Sequence, residues 1–517
     1  MDAQNTRTAQ ETQAAGEPAA AAGPGTGTTA GTRTERPGAG DAGPPVSALP
    51  AAPAPDWNRG ELAAVLSRPG ILSVDPAVLE SYSADHALCE PLGAASALVR
   101  AETVEDVQTT LRFAHEHGIP VVPQGARTGL AGGANAVPGC ILLNVSRMNR
   151  ILHVDAAERT ATVEPGVINQ DLKDHLAGYG LAYPPDPGSV AISSIGGNIA
   201  TNAGGLCCVK YGVTRDYVRS LKVVLADGSL TTLGARTAKG VAGLDLRGLF
   251  IGSEGTLGVV VEATVRLVPA LPDPLTAIAV FGAELDAIRT VTAVMSSGLQ
   301  PSMLEFMDAQ TIYQLNELGD FGLDPEAGAI LLMQADDAHA AAQLERFTGL
   351  AEQHGATEVV YSDDPEDSEA LIHIRRQVSA AAELFAARNG GGDLVEDLCV
   401  PVTALPEFYA GVAAVRREYD VVISCAGHAG DGNLHPGIFF DAADPDAVRR
   451  ADAAFDALMA LGLELGGTIT GEHGVGHLKN RWLARELDDS ARALHRQVKQ
   501  ALDPRGILNP GKMLAAL

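Results

Sequence analysis

The chain has 517 residues, enough for two or three domains, and 46% of them are apolar but only 4% aromatic, so its cores must be largely aliphatic. With 37 basic against 64 acidic residues the formal charge is −27, which argues against nucleic acid as a partner and against electrostatic binding to anionic lipid. The six cysteines form no C-x-x-C pair, which counts against zinc ribbons and iron–sulfur clusters and suits a reducing compartment.

Residues 1–57 are rich in Ala, Gly, Pro and Thr, and Val46 and Leu49 are the only large aliphatics between Asp2 and Asp56. Such a stretch cannot bury enough surface to offset its ordering entropy, so a disordered tail is expected. It has no apolar h-region and carries Glu11, Glu17, Glu35 and Asp41, unlike a signal or transit peptide. No run of 18 apolar residues follows, so no transmembrane segment is expected.

Thr103 followed by Asp106 reads as a capping box that opens a helix ending at Gly118. Strands are expected over Ile119–Val122, Cys140–Val145, Arg150–Val154 and Arg159–Val163, and a helix over Ile168–Gly178. Asp227-Gly228 between two apolar runs predicts a hairpin with a tight primed turn, and Thr256–Leu267 a further strand. Pro269, Pro272 and Pro274 mark a domain boundary. Beyond it, strands near Ile278–Phe281, Ile330–Gln334 and Glu358–Tyr361 alternate with helices near Asp286–Ser297, Ala338–His354 and Glu369–Ala387, a second α+β unit.

Three glycine-rich segments stand out: Gln124–Gly133, Pro184–Gly205 and Gly252–Gly258. Glycines let backbone N–H groups approach an anion closely, and Arg127 could add a charged contact. The middle segment mixes short hydroxyl and amide side chains, a surface suited to a large polar ligand rather than to a packed core. None has the G-x-G-x-x-G pattern between strand and helix, so the ordinary dinucleotide fold is not indicated. Gly506–Lys512 has phosphate-loop spacing, but Met513 replaces the required Ser or Thr and only four residues follow it.

Near the C-terminus lie Gly427–His435, which holds His428 and His435 seven residues apart around a glycine turn, and Gly471–Gly474, which holds Glu472 and His473. Two histidines and a carboxylate with open positions suit a divalent metal, and a spare histidine can move a proton.

In their order along the chain these motifs, with the terminal Asn509–Lys512, resemble the flavin-binding (PCMH-type) domain of the vanillyl-alcohol oxidase superfamily. Within it they resemble the group of D-lactate dehydrogenase, glycolate oxidase subunit and D-2-hydroxyglutarate dehydrogenase, over residues 58–517. The resemblance implies an α+β fold: a two-subdomain FAD-binding domain over 58–270, an antiparallel-sheet α+β cap over 271–500 bearing the metal site, and a segment 501–517 returning to the flavin. It implies FAD, held non-covalently because Gln124–Gly133 contains no histidine. Arg127, Thr128, Gly129, Leu130, Gly132 and Gly133 would cradle the pyrophosphate, with Gly125 in the same loop. Pro187, Gly188, Ser189, Ser193, Gly197, Asn198, Thr201, Asn202 and Gly204 would line the flavin, with Gly258 and Val259 near it and Asn509 closing the site. His428, His435 and Glu472 would hold zinc or manganese, and His473 would be the catalytic base. Arg375, Ser379 and Asn433 would meet the substrate together with the three histidines. Asp397 is expected to be a structural hydrogen-bonding residue. Val395 stands where the hydroxyglutarate enzymes carry a lysine, which favours a smaller or differently charged acid of the lactate or glycolate type.

The activity so implied is oxidation of a D-2-hydroxy acid to the 2-keto acid, with hydride passing to flavin N5. The expected partners are a small anionic substrate and a separate electron acceptor (an electron-transfer flavoprotein, quinone or cytochrome), in a cytoplasmic protein compatible with peripheral membrane association and with a homodimer. The alternatives are D-2-hydroxyglutarate oxidation, a flavin-dependent non-redox transferase of the alkylglycerone-phosphate synthase type, and a metal hydrolase.

Overall fold

The computed structural model describes residues 57–87, 91–362 and 364–517, so the expected tail and Cys89 lie outside the described residues, Trp57 excepted. The first sheet has the order Leu72–Ser73, Ala97–Arg100, Ile141–Asn144, Val121–Gln124, the last three strands parallel. Parallel neighbours need a crossover, and the helix Val104–His117 connects Ala97–Arg100 to Val121–Gln124. Its start is the expected capping box: Asp106 N–H donates to Thr103 Oγ1, and the Asp106 carboxylate accepts from Thr103 N–H. Gly118 ends it at φ 65°. Val107, Leu111 and Ala114 face the core shared with Val121, Ile141 and Leu143. The neighbouring strands Val121–Gln124 and Ile141–Asn144 each end on an amide, and the glycine loop begins after Gln124. Asn144 Nδ2 and Ser146 Oγ both donate to the Gly125 carbonyl and fix the start of that loop.

The second sheet is antiparallel, in the order Ile151–Asp155, Thr160–Val163, Val259–Arg266, Val218–Val224, Leu230–Gly234. Its hairpin at Asp227-Gly228 departs from the expected primed turn. Gly228 N–H donates to the Leu225 carbonyl and Leu225 N–H to Ser229, and only Gly228 takes a positive φ, at 80°. The connection is a three-residue loop with glycine in the left-handed position, and Asp227 caps it by accepting from Ser229 N–H at 2.8 Å.

The third sheet is antiparallel with eight strands. Its order is Ala356–Ser362, Leu275–Phe281, Ala329–Ala335, Met303–Asp308, Val422–His428, Asn433–Asp441, Gly391–Val395, with Leu398–Cys399 also on Asn433–Asp441. Helices Glu284–Ser296, Ala340–Gln353, Leu405–Tyr419 and Pro445–Glu464 cover one face through an apolar cluster that includes Val291, Leu344, Phe408 and Leu458. The single helix expected over Glu369–Ala387 is two, Pro365–Arg376 and Val378–Arg388, bent at Gln377. Neither glycine nor proline marks the bend; the first helix ends where the Arg375 side chain turns inward to Glu305.

The C-terminal segment returns to the first sheet. Val121 N–H donates to the Ile507 carbonyl and Asn509 N–H to Val121, so residues 507–509 extend its edge. Lys512, at the end of the false phosphate loop, is buried and donates to the backbone carbonyls of Gly133 and Asn135. Among the described residues no helix is long and apolar enough to cross a membrane.

Candidate active site

One cavity of about 590 Å³ runs from the glycine loops to the histidine motifs. Of the expected cofactor residues, Gly125, Arg127, Thr128, Gly129, Leu130, Gly133, Pro187, Gly188, Ser189, Gly197, Asn198, Thr201, Gly258 and Val259 line it. At the other end it is lined by Arg375, Ser379, His428, His435, Glu472 and His473.

Other expected site residues lie behind that wall. Gly132 takes φ 73° in the turn of its loop. Ser193 is buried, and Asn202 ends the helix Ile195–Thr201 while its side-chain carbonyl accepts from Arg215 N–H. Asn509 donates to the carbonyls of Gly133 and Glu254 and so ties two glycine loops together instead of facing the cavity. Asn433 donates to Asp397 and to the Leu398 carbonyl, which makes it a brace for the histidine hairpin. Arg127 lines the cavity, and its guanidinium stacks on Tyr82 and donates to the Ser81 and Ala84 carbonyls. Gly204 serves close approach instead. A Cβ there would come within 2.9 Å of Glu472 Oε2, so a side chain at this position would push on the carboxylate.

The histidine cluster is assembled by the cap sheet. His428 ends the strand Val422–His428 and His435 lies early in Asn433–Asp441; a glycine turn pairs the strands and sets the rings 5.3 Å apart, nearly perpendicular. Glu472 Oε1 lies 3.3 Å from His428 Nε2, 3.5 Å from His435 Nε2 and 3.9 Å from His473 Nε2. His473 stacks on His435 at 5.0 Å between ring centres. Asp397 aims this loop. Its Oδ2 accepts from Glu472 N–H at 2.9 Å, His473 N–H at 2.8 Å and Thr470 Oγ1 at 2.7 Å, while Oδ1 accepts from Asn433. The flavin side contributes Glu254, a buried carboxylate that accepts from Val475 N–H and Gly476 N–H.

Glu305 was not singled out in the sequence. It sits fully buried on the strand Met303–Asp308, accepting from Arg375 Nε at 2.7 Å and facing His428 Nδ1 at 2.8 Å. A carboxylate among Met, Leu and Phe in a central strand was the available signal; its partners lie 70 and 123 residues away.

The electrostatics follow from this packing. Burial opposes charge on His428, yet Glu305 and Glu472 outweigh it and hold its pKa well above the usual imidazole range. Burial and then His473 push His435 down to about 3, which leaves it a neutral donor. Burial would raise Glu472, but His428, by charge and by hydrogen bond, holds it down at about 2. Ionised carboxylate and imidazole nitrogens converging on one point, with positive charge favoured there, fit a divalent cation. Asp397, His435, Glu472 and His473 also bring one donor atom each within 4.8 Å of one another.

The chain matches the model of an FAD binding domain over residues 95–234 and that of the FAD-linked oxidase C-terminal domain over residues 274–513. It is 39% identical over 421 residues to glycolate oxidase subunit GlcD of Bacillus subtilis, covering 81% of this chain and 89% of that one. The chain belongs to the FAD-linked oxidase family, in the D-2-hydroxy acid dehydrogenase group of the vanillyl-alcohol oxidase superfamily. A second relative is the D-lactate dehydrogenase of Anaerostipes hadrus, 36% identical over 427 residues, 80% of this chain and 89% of the other. Among solved structures, p-cresol methylhydroxylase with substrate bound matches with a TM-score of 0.74 at 20% identity, over 90% of this chain and 99% of that one, a likeness of fold. The protein is therefore an FAD-dependent oxidoreductase of the two-part α+β fold that the motifs implied.

Proposed function

We propose that the protein oxidises a D-2-hydroxy acid of the lactate or glycolate type to the 2-keto acid, with His428, His435 and Glu472 holding zinc or manganese. The observation that supports this most is the single cavity joining the flavin loops to a cluster of three histidines and a carboxylate. The names of the two relatives, a glycolate oxidase subunit and a D-lactate dehydrogenase, agree with it. When bound, non-covalent FAD supplies the two-electron acceptor and the cation lowers the pKa of the substrate hydroxyl.

The chain's own residues do the rest. His473 takes the hydroxyl proton at Nε2, a step worth roughly 10² to 10⁴ in rate. Arg375, with Nε committed to Glu305, turns its terminal nitrogens to the substrate carboxylate. Glu305 thereby positions the carboxylate anchor and a metal ligand together. Asp397 keeps Glu472 and His473 on the cavity side. Electrons then leave to a separate acceptor such as an electron-transfer flavoprotein, quinone or cytochrome.

Anaerobic stopped-flow flavin reduction with D-lactate, L-lactate, glycolate and D-2-hydroxyglutarate tests this reading. Fast bleaching with D-lactate or glycolate is expected; bleaching confined to hydroxyglutarate would sink the substrate assignment, and none at all the reaction.

A further inference from the structure

Oxidation of a 2-hydroxy acid leaves the substrate's side chain to be housed beyond the reacting carbon, and the selectivity inferred for that side chain rests on the oxidation proposed for the site. Ser379, on the second of the paired helices, and Val395, at the end of the strand Gly391–Val395, both line the cavity beside Arg375. Positions two apart on a strand share a face, as do positions four apart on a helix. The next positions along these faces are Asp393 and Glu383, and both line the same cavity. Asp393 pairs in register with Phe439 as Val395 does with Gly437, so the strand carries one wall from one residue to the other.

Asp393 is 6% exposed, and its Oδ1 is buried with no hydrogen-bond partner. Burial, and then Glu383, push its carboxyl up to about 7. A buried polar atom without a partner is unfavourable, so packing alone does not account for an acid at this position. Asp393 and Glu383 line the cavity together, so a cationic or hydrogen-bond-donating group brought in by a ligand would meet two acidic groups. A carboxylate brought in there would be a third acidic group beside the other two.

We propose that Asp393 and Glu383 select 2-hydroxy acids whose side chain ends in a hydrogen-bond donor, an ammonium group above all, and turn away those ending in a carboxylate. Two residues along a strand span about 6.6 Å, so the side chain must extend roughly five atoms beyond the hydroxyl-bearing carbon. D-Lactate is too short to reach the pair and reports on the reaction alone.

The test compares kcat/KM of the holoenzyme for D-2-hydroxy-6-aminohexanoate, its neutral isostere D-2-hydroxyheptanoate and D-2-hydroxyadipate, with D-lactate alongside. The wild type should favour the ammonium substrate over the neutral one by about tenfold or more, and the neutral one over the dicarboxylate by a similar factor, the size of one charge interaction at a partly buried site. Asp393→Asn and Glu383→Gln should each shrink the first ratio, and Asp393→Lys should invert the order of the ammonium and dicarboxylate substrates. Glu383 is exposed, so Glu383→Gln carries the test if the Asp393 variants fold poorly. Equal kcat/KM for ammonium and neutral substrates in the wild type, or a ratio unchanged in Glu383→Gln and Asp393→Asn, would overturn the inference while D-lactate still bleaches the flavin. If D-lactate and the other three all fail, the oxidation reading falls and this inference with it.

Discussion

Replacing Asp397 by asparagine separates the role of the loop from that of its side chains. One carboxylate oxygen holds Glu472 N–H, His473 N–H and the Thr470 hydroxyl, and the other holds Asn433 Nδ2. An asparagine at this position has one acceptor where four donors converge. With its carbonyl toward the loop, its amide meets the Asn433 amide head-on, and Asn433 cannot flip without losing the Leu398 carbonyl. The variant therefore loses one hydrogen bond to a charged group and the charge on three more. Bonds to charged groups contribute about 1.5–3 kcal/mol each, so a loss of about 2–4 kcal/mol is expected. Urea denaturation of the FAD-loaded protein measures it, and the flavin-reduction rate with substrate should fall by at least about tenfold as Glu472 and His473 lose their aim. Stability within about 0.5 kcal/mol of wild type together with an unchanged rate would show that Asp397 does not position the loop.

His473→Ala should retain bound flavin, seen in its visible spectrum, and lose roughly 10² to 10⁴ in reduction rate; a rate near wild type would remove His473 as base. Glu305→Gln should weaken metal affinity by about 10–100-fold in competitive chelator titrations, because the carboxylate that orients His428 is gone, and should raise KM through Arg375. Burial and then Lys512 push His477 down to about 4, so the fold favours its neutral form. Its stabilising effect is present above the unfolded value of about 6.5 and is lost as pH falls through the folded one, by up to about 3 kcal/mol. The urea midpoint should drop across that window in the wild type and less so in His477→Gln; parallel profiles would contradict the assignment.

Local chemistry was legible in the chain: the Thr103 cap, the strands Val121–Gln124 and Ile141–Asn144 and those of the second sheet, and the glycine loops that line the cavity, though not Leu72–Ser73 or Ala97–Arg100. Each depends on neighbours a few residues away. What stayed hidden depends on distant partners. Glu305 acquires meaning only when the cap sheet sets its strand beside Val422–His428. Asn433 sits inside a histidine motif and braces it only once the Leu398–Cys399 strand is beside it. The bend at Gln377 has no glycine or proline to announce it. Arg127 was legible as a cation near an anion loop, but nothing local revealed that Tyr82 would take its guanidinium.

Flavin reduction under nitrogen, followed at its visible band before and after exhaustive removal of divalent metal, tests the central claim most directly. D-Lactate or glycolate should bleach the metal-loaded enzyme, fail with the stripped one, and bleach again when zinc or manganese is restored. Undiminished bleaching by the stripped enzyme would contradict the role given to His428, His435 and Glu472.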